Sequence, residues 1–136
     1  MAKFFDRDKW LISQLRRLSV KFPPRLNVLN RAKTTYYITS KKGTQVKRVS
    51  FQCELCGTKG LNSKEVQLDH TIPVVGVKGY TNLWDFIDRL FCEESNFRCI
   101  CVPCHSNKSL YEQDQRHFNK KVIKSKKRFD TFKKKR

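Results

Sequence analysis

Long apolar segments are missing from this chain of 136 residues. It has no run of 18 apolar residues, which excludes a membrane-spanning helix. The opening MAKFFDRDKW carries charges where a signal peptide has an apolar stretch, so we expect a protein that is not secreted. No internal repeat is visible. Hydrophobic residues make up 38% of the composition, which predicts one small core that would benefit from a bound metal.

Acidic residues are also scarce, with 12 Asp and Glu against 30 Lys and Arg, for a net charge of +18. The basic excess lies at the two ends. Residues 1–50 hold 13 basic and two acidic residues, and residues 117–136 hold ten and one. Residues 51–116 hold seven basic and nine acidic residues. Two basic flanks around a near-neutral centre favour a polyanionic partner bound in a salt-sensitive way, although a solvated charged surface is the alternative.

The six cysteines predict a metal site more strongly than disulfides. Four of them form two Cys-x-x-Cys motifs, Cys53/Cys56 and Cys101/Cys104. This spacing, without an export signal, favours a reducing compartment and metal ligation. Four thiolates complete one tetrahedral zinc site. Cys92 and Cys99 fit neither motif, and we expect them to be small buried hydrophobic residues.

Apolar spacing predicts an α+β protein. A helix over 7–19 is capped by Asp6 or Asp8, and a second helix begins at Pro23-Pro24. The later elements are a turn at 41–45, strands ending at 51, 70 and 101, a helix at 81–92 and a helix after Cys104. Thr81 is the candidate cap of the 81–92 helix, whose expected core face is Leu83, Trp84, Ile87, Leu90 and Phe91. Beyond Lys120 the basic tail is either a loose helix or disordered until bound.

Three residues outside the cysteine set indicate a second, catalytic centre. Asp69-His70 ends the strand at 64–70, and His105 directly follows Cys104. A carboxylate and an imidazole suit magnesium, manganese or another first-row metal better than a thiol site does. A metal-dependent nuclease uses such a set. His105 could instead replace one cysteine as a zinc ligand.

These residues resemble the HNH endonuclease family in its four-cysteine form. The matching strings are CELCG, VQLDHTIP and NFRCICVPCHSNK, within roughly residues 51–116. The family's three signature positions fall on His70, Asn96 and His105. The segments LRRLSVKFPPRLNVLNRAK and WDFIDRLFC are similar to phage-encoded members. The stretch between His70 and Asn96 is longer than in compact members.

The resemblance implies a ββα-metal core at 51–116 with a structural zinc on the four cysteines. Basic helices at 1–50 precede this core, and a basic helix or tail at 117–136 follows it. The implied partner is DNA, with phage packaging or replication proteins as further candidates, and the implied location is the cytoplasm of a host cell. Oligomeric state stays open.

The implied activity is hydrolysis of DNA phosphodiester bonds, by nicking or double-strand cutting, with 5′-phosphate and 3′-hydroxyl products. His70 would be the general base on water, and Asp69 and His105 would hold a catalytic magnesium, manganese or other divalent ion. Asn96 would support the loop that carries His70. Asn107 is an alternate or supplementary ligand.

Candidate nucleic-acid contacts come from both flanks and from the helix after Cys104. They are Arg16, Arg17, Arg25, Arg31, Lys47, Arg48, Lys108, Arg116, Lys126, Lys127 and Arg128. Arg116 could instead pair with Glu112, four residues before it. No recognition helix is identifiable, and phosphate contacts position a protein without specifying a sequence.

Two alternatives remain at this stage. A non-catalytic zinc module that binds nucleic acid, such as a packaging accessory factor, would use the same cysteines and flanks. It would not need Asp69, His70 and Asn96 together. The other alternative is an HNH fold that has lost activity or acts only beside a partner protein.

Overall fold

A computed structural model describes residues 4–134, and the side chains of residues 4–127. This part is a mixed α+β protein with four α-helices and two separate two-stranded antiparallel sheets. The elements in chain order are α1 (Arg7–Ser19), α2 (Pro23–Arg31), β1 (Lys33–Thr39), β2 (Gln45–Phe51), β3 (Val66–His70), α3 (Leu83–Leu90), a 3-10 turn (Glu94–Asn96), β4 (Phe97–Cys101) and α4 (Val102–Lys134). Within this range no helix has the length and apolar character needed to cross a membrane.

The first two helices begin where the sequence predicts, and α1 also ends at the predicted residue, Ser19. The side chain of Asp6 accepts a hydrogen bond from the backbone N–H of Lys9 at 3.1 Å, which caps α1. The two prolines occupy the first turn of α2, where their missing N–H groups would have no helical partner. Val28 of α2 is fully buried, and α2 packs against β4.

A β-hairpin of β1 and β2 was only half predicted. Its turn contains Gly43, whose φ of +79° is a conformation that favours glycine. The sequence analysis missed β1, although the run KTTYYIT is rich in the β-branched and aromatic residues typical of strands. All seven residues of β1 are exposed, whereas β2 reaches the core at Val49 and Phe51.

The second sheet, β3 with β4, forms the centre of the protein. Its register places Asp69 opposite Arg98 and His70 opposite Phe97. β4 is buried along most of its length, and its residues belong to two adjoining core clusters. Helix α4 begins directly after β4, so the end of this strand fixes where the helix starts.

Helix α3 differs from its prediction in its cap and in its buried face. Asn82, not Thr81, is the N-cap, because its side chain accepts the N–H of Asp85 at 2.9 Å. Trp84 is 75% exposed, while Phe86, which the prediction omitted, is 1% exposed. Positions 83, 86, 87 and 90 share one helical face, and position 84 points about 100° away from position 83.

This difference gives a stability prediction. Phe86→Ala should lower the free energy of unfolding by about 3–5 kcal/mol, because it leaves a cavity in a packed site. Trp84→Ala should change it by about 0.5 kcal/mol or less, as expected for an exposed side chain. Urea denaturation of both variants measures the difference. Equal losses would contradict the assignment of Phe86, rather than Trp84, to the core.

Helix α4 runs without interruption from Val102 to Lys134, so the backbone of the basic tail is helical as far as residue 134. The two domain boundaries expected from the sequence, 50/51 and 116/117, both fall inside regular elements. Strand β2 spans the first boundary and helix α4 spans the second. The central unit and its flanks are therefore joined by continuous secondary structure.

Candidate metal centre and polar cavity

The two Cys-x-x-Cys motifs meet in space. The sulfur atoms of Cys53, Cys56, Cys101 and Cys104 all lie within 4.8 Å of one another. The Cys56 and Cys101 sulfurs are 3.7 Å apart. Four thiolates at about 2.3 Å from a tetrahedral zinc would lie about 3.8 Å apart, so the spacing fits such an ion. His105 is not a member of this cluster.

Backbone donors surround these sulfurs in the manner of a zinc knuckle. The N–H groups of Cys56 and Cys101 point to the Cys53 sulfur at 3.4 Å and 3.2 Å. Hydrogen bonding from Thr58 lowers the pKa of Cys56 to about 6. The hydrogen bond with Cys101 and then burial raise the pKa of Cys104. Crowded thiols cannot all ionise without a cation among them, so the cluster could hold a structural metal such as zinc.

The two remaining cysteines lie outside the cluster. Cys99 is fully buried in the core beside Phe51 and Val66, and burial raises its pKa to about 11. Cys92 is half-buried, and burial raises its pKa as well. Both thiols therefore stay protonated near neutral pH and behave as small apolar side chains, as predicted.

A polar cavity of about 210 Å³ brings the other predicted site residues together. Its charged and imidazole side chains come from α1, β3 and α4: Arg16, Asp69, His70, His105, Lys108, Glu112 and Arg116. Three of them, at positions 105, 108 and 112, recur at helical spacing on one face of α4. Pro73, Val74 and Val75 form another part of the wall.

Asp69 is a buried carboxylate held by two cations. It is 7% exposed. Lys108 Nζ lies 2.9 Å and 2.7 Å from its two oxygens, and Arg98 Nε donates to Oδ2 at 3.1 Å. Lys108 also donates to the backbone carbonyl of His70. Burying a carboxylate is costly without such partners, and the contacts with Lys108 and Arg98 offset that cost for Asp69.

The hydrogen bonding of His70 distinguishes its two ring nitrogens. Nε2 lies 3.1 Å from the carbonyl oxygen of Leu90. A carbonyl only accepts, so Nε2 carries the hydrogen and Nδ1 of the neutral ring keeps a lone pair. Burial lowers the pKa of His70, which favours that neutral ring. The ring also packs against Phe97, with 4.7 Å between ring centroids.

Asn96 and Asn107 take different positions. The carbonyl oxygen of Asn96 accepts the N–H of Thr71 at 2.8 Å, so Asn96 ties down the residue after His70 through its backbone. Because the contact is made by the backbone, it does not depend on the asparagine side chain, whose supporting role stays a prediction. Asn107 is an exposed residue of α4 and is not among the residues that line the cavity. His117 is exposed.

Glu112 contributes a carboxylate that the sequence analysis did not place in the site. Its Oε2 pairs with Arg116 Nη2 at 3.3 Å, as the four-residue spacing predicts. Its Oε1 lies 3.3 Å from Lys108 Nζ, an ion-pair distance, but is buried and forms no hydrogen bond within residues 4–127. Arg116 also donates to the Val75 carbonyl at 3.1 Å, which joins α4 to the loop after β3.

The donors of this cavity fit a hard divalent cation in type. Carboxylate oxygens of Asp69 and Glu112 and the imidazole of His105 are the ligands that such ions take. Among the side chains of residues 4–127, Glu112 Oε1 is a buried oxygen without a hydrogen bond. In this arrangement, however, the ammonium of Lys108 supplies the positive charge. Among the side chains described, the four cysteines are the only group of three or more His, Cys, Asp or Glu whose ligand atoms converge.

Most of the candidate nucleic-acid contacts on the two flanks are exposed side chains: Arg16, Arg17, Arg31, Lys47, Arg48, Lys126 and Lys127. Arg31 pairs with Glu94 at 3.0 Å and Glu54 at 3.4 Å, which links α2 to the first cysteine motif. Arg25 is half-buried, and burial lowers its pKa. Arg128 lies outside the residues whose side chains are described.

Four features of the site were missed by sequence reasoning: the carbonyl of Leu90, Arg98, Glu112 as a cavity wall, and the contact of Lys108 with Asp69. Arg98 could have been found, since antiparallel pairing of the two predicted strands places it opposite Asp69. The contact with the Leu90 carbonyl could not be predicted from the sequence, because every residue has a backbone carbonyl.

No protein-family model, curated protein or solved structure matches this chain.

Proposed function

We propose that this protein is a metal-dependent endonuclease of HNH type that hydrolyses DNA phosphodiester bonds. The observation that carries the proposal is that Asp69, His70 and His105 line the same polar cavity, in a protein that also has a four-cysteine cluster. Strands β3 and β4 and helix α4 supply most of the cavity residues and cysteines. This element order, two strands followed by a helix, supports a ββα-metal core with a structural zinc on the cysteines.

In this proposal His70 is the general base. Its Nε2 is held by the Leu90 carbonyl, so Nδ1 is the nitrogen that takes a proton from the attacking water. The packing of the ring on Phe97 and the backbone contact of Asn96 to Thr71 fix its orientation. A base whose position is fixed before substrate binds loses less entropy in the reaction.

Asp69 and His105 would hold the catalytic divalent ion, with Glu112 as an additional oxygen donor. When bound, such an ion supplies charge stabilisation at the phosphate and assists the leaving oxygen. Arg16 and Arg116 line the same cavity and provide positive charge for a phosphate group. Lys108 would have to leave the Asp69 carboxylate, and Asp69 would keep Arg98 as its remaining partner.

The direct test is cleavage of supercoiled plasmid with magnesium, with manganese, and with a chelator. Relaxed or linear DNA should form with at least one metal and not with the chelator. Binding of plasmid without cleavage under every metal condition would contradict the proposal.

A test of Lys108 uses metal binding alone. Lys108→Met should tighten Mn²⁺ binding by at least about tenfold, because it removes a positive charge that competes for the Asp69 oxygens. Titration of the DNA-free protein followed by electron paramagnetic resonance measures the dissociation constant. Lys64→Met, at an exposed position, is the matched control. An unchanged or weaker constant would show that Lys108 does not compete with the ion.

One observation favours a second candidate, a non-catalytic zinc module that binds nucleic acid. Both oxygens of Asp69 are already bound by cationic side chains. If Lys108 holds Asp69 permanently, the cavity is a structural ion-pair network. Plasmid binding without cleavage, together with unchanged Mn²⁺ binding in Lys108→Met, is the result that this candidate predicts.

A further inference from the structure

The hairpin of β1 and β2 is an exposed ribbon attached to the core at one end. All seven residues of β1 are exposed, and the core contacts of the ribbon lie at Val49 and Phe51 of β2. An isolated two-stranded hairpin is marginally stable in water. A ribbon that leaves both faces in solvent therefore has surface available for a partner.

The charge of this ribbon has one sign. Residues 33–51 contain five basic residues and no Asp or Glu. They are Lys33, Lys41, Lys42, Lys47 and Arg48, and every one is exposed. Lys41 and Lys42 lie in the turn at the tip, beside Gly43. A polyanion is the partner whose charge is complementary to this surface along its whole length.

The strand register adds an aromatic ring to each face. Tyr36 lies directly opposite Arg48, and Tyr37 lies directly opposite Lys47. Neighbouring residues in a strand point to opposite faces, so each face presents one cross-strand pair of a tyrosine and a cation. Tyrosine hydroxyls and cationic groups both donate hydrogen bonds to phosphate oxygens.

We propose that this ribbon docks in the major groove of duplex DNA. The proposal rests on the proposed function for the choice of polyanion. The major groove, about 12 Å wide, admits a two-stranded β-ribbon, and seven residues per strand reach roughly 20 Å. With a cation and a ring on each face, the ribbon contacts both walls of the groove, and the lysines at the tip reach the backbone phosphates.

The test compares two charge-matched double variants in binding to a fluorescent duplex, without added magnesium or manganese. The ribbon variant is Lys47→Ala with Arg48→Ala. The control is Lys59→Ala with Lys64→Ala, two exposed lysines outside the ribbon. The ribbon variant should bind at least about tenfold more weakly, and the slope of log K against log salt should fall by about 2. The control should change affinity by less than about threefold.

A competition experiment tests which groove of the duplex the ribbon occupies. Methyl green, which occupies the major groove, should displace the wild-type protein, and netropsin, which occupies the minor groove, should not. Thermal melting of both variants verifies that they are folded. Equal weakening by the two variants would reduce the effect to net charge and overturn the proposal. Wild-type affinity of the ribbon variant, competition by netropsin, or an equal loss on single-stranded DNA would overturn it as well.

These measurements do not involve cleavage. A protein that binds through the ribbon but never cuts plasmid would refute the nuclease assignment alone. A protein that cuts plasmid equally well with and without the ribbon cations would refute the ribbon alone.

Discussion

His70→Ala should abolish detectable plasmid cleavage while DNA binding is kept. Removal of a general base typically lowers the rate by about 10²- to 10⁴-fold. The Nδ1 of this ring is the proton acceptor that remains once Nε2 is bound to the Leu90 carbonyl. Initial rates of nicking, measured beside the dissociation constant for the same DNA, separate a loss of chemistry from a loss of binding.

His117→Ala is the matched control for that experiment. His117 lies on α4, as His105 does, but is exposed and outside the cavity. Its substitution should leave both nicking and binding unchanged. If His70→Ala nicks at the wild-type rate, the general-base role is wrong, whatever the protein binds. If it loses DNA binding in parallel with cleavage, His70 contributes to binding or to folding.

Cys53→Ser should weaken zinc binding by the four-cysteine cluster and lower the thermal stability of the protein. Cys53 is fully buried, and its sulfur accepts two backbone N–H groups in addition to its place in the cluster. Zinc bound by such thiolates contributes directly to folding free energy. We expect a loss of at least about 3 kcal/mol, equivalent to a fall in Tm of about 10 °C.

Cys92→Ser separates this effect from a general cost of replacing a cysteine. Cys92 is half-buried and lies outside the cluster, so the variant should keep one zinc per chain and nearly all of its stability. Elemental analysis gives the metal content, and thermal unfolding gives Tm. A Cys53→Ser protein that retained zinc and its Tm would show that the four sulfurs do not hold the fold together.

Local sequence patterns predicted most of the elements because their signals were local. Three confirmed predictions each depend on a few neighbouring residues: Asp6, one of the two candidate caps, caps α1; the paired prolines begin α2; and β3 ends at His70. Trp84 was placed in the core as part of an apolar stripe with Leu83 and Ile87, whereas the geometry of α3 turns it to solvent and turns Phe86 inward. Strand β1 was missed because it has no alternation, both of its faces being in water.

The site was harder to predict, since its residues meet only after folding. Motif spacing was enough to propose that Asp69, His70 and His105 share a pocket, and they line one cavity. Spacing could not reveal that Lys108 neutralises Asp69, because that contact joins the end of a strand to the second turn of α4. The geometry of this contact depends on how α4 packs on the sheet of β3 and β4.

One unbroken helix contains Cys104, His105, Lys108 and the basic tail as far as Lys134. From residue 117 to residue 134 the rise of an α-helix amounts to about 26 Å. Because the backbone of α4 has no break between the cavity and residue 134, the direction of the tail is set where the helix leaves β4.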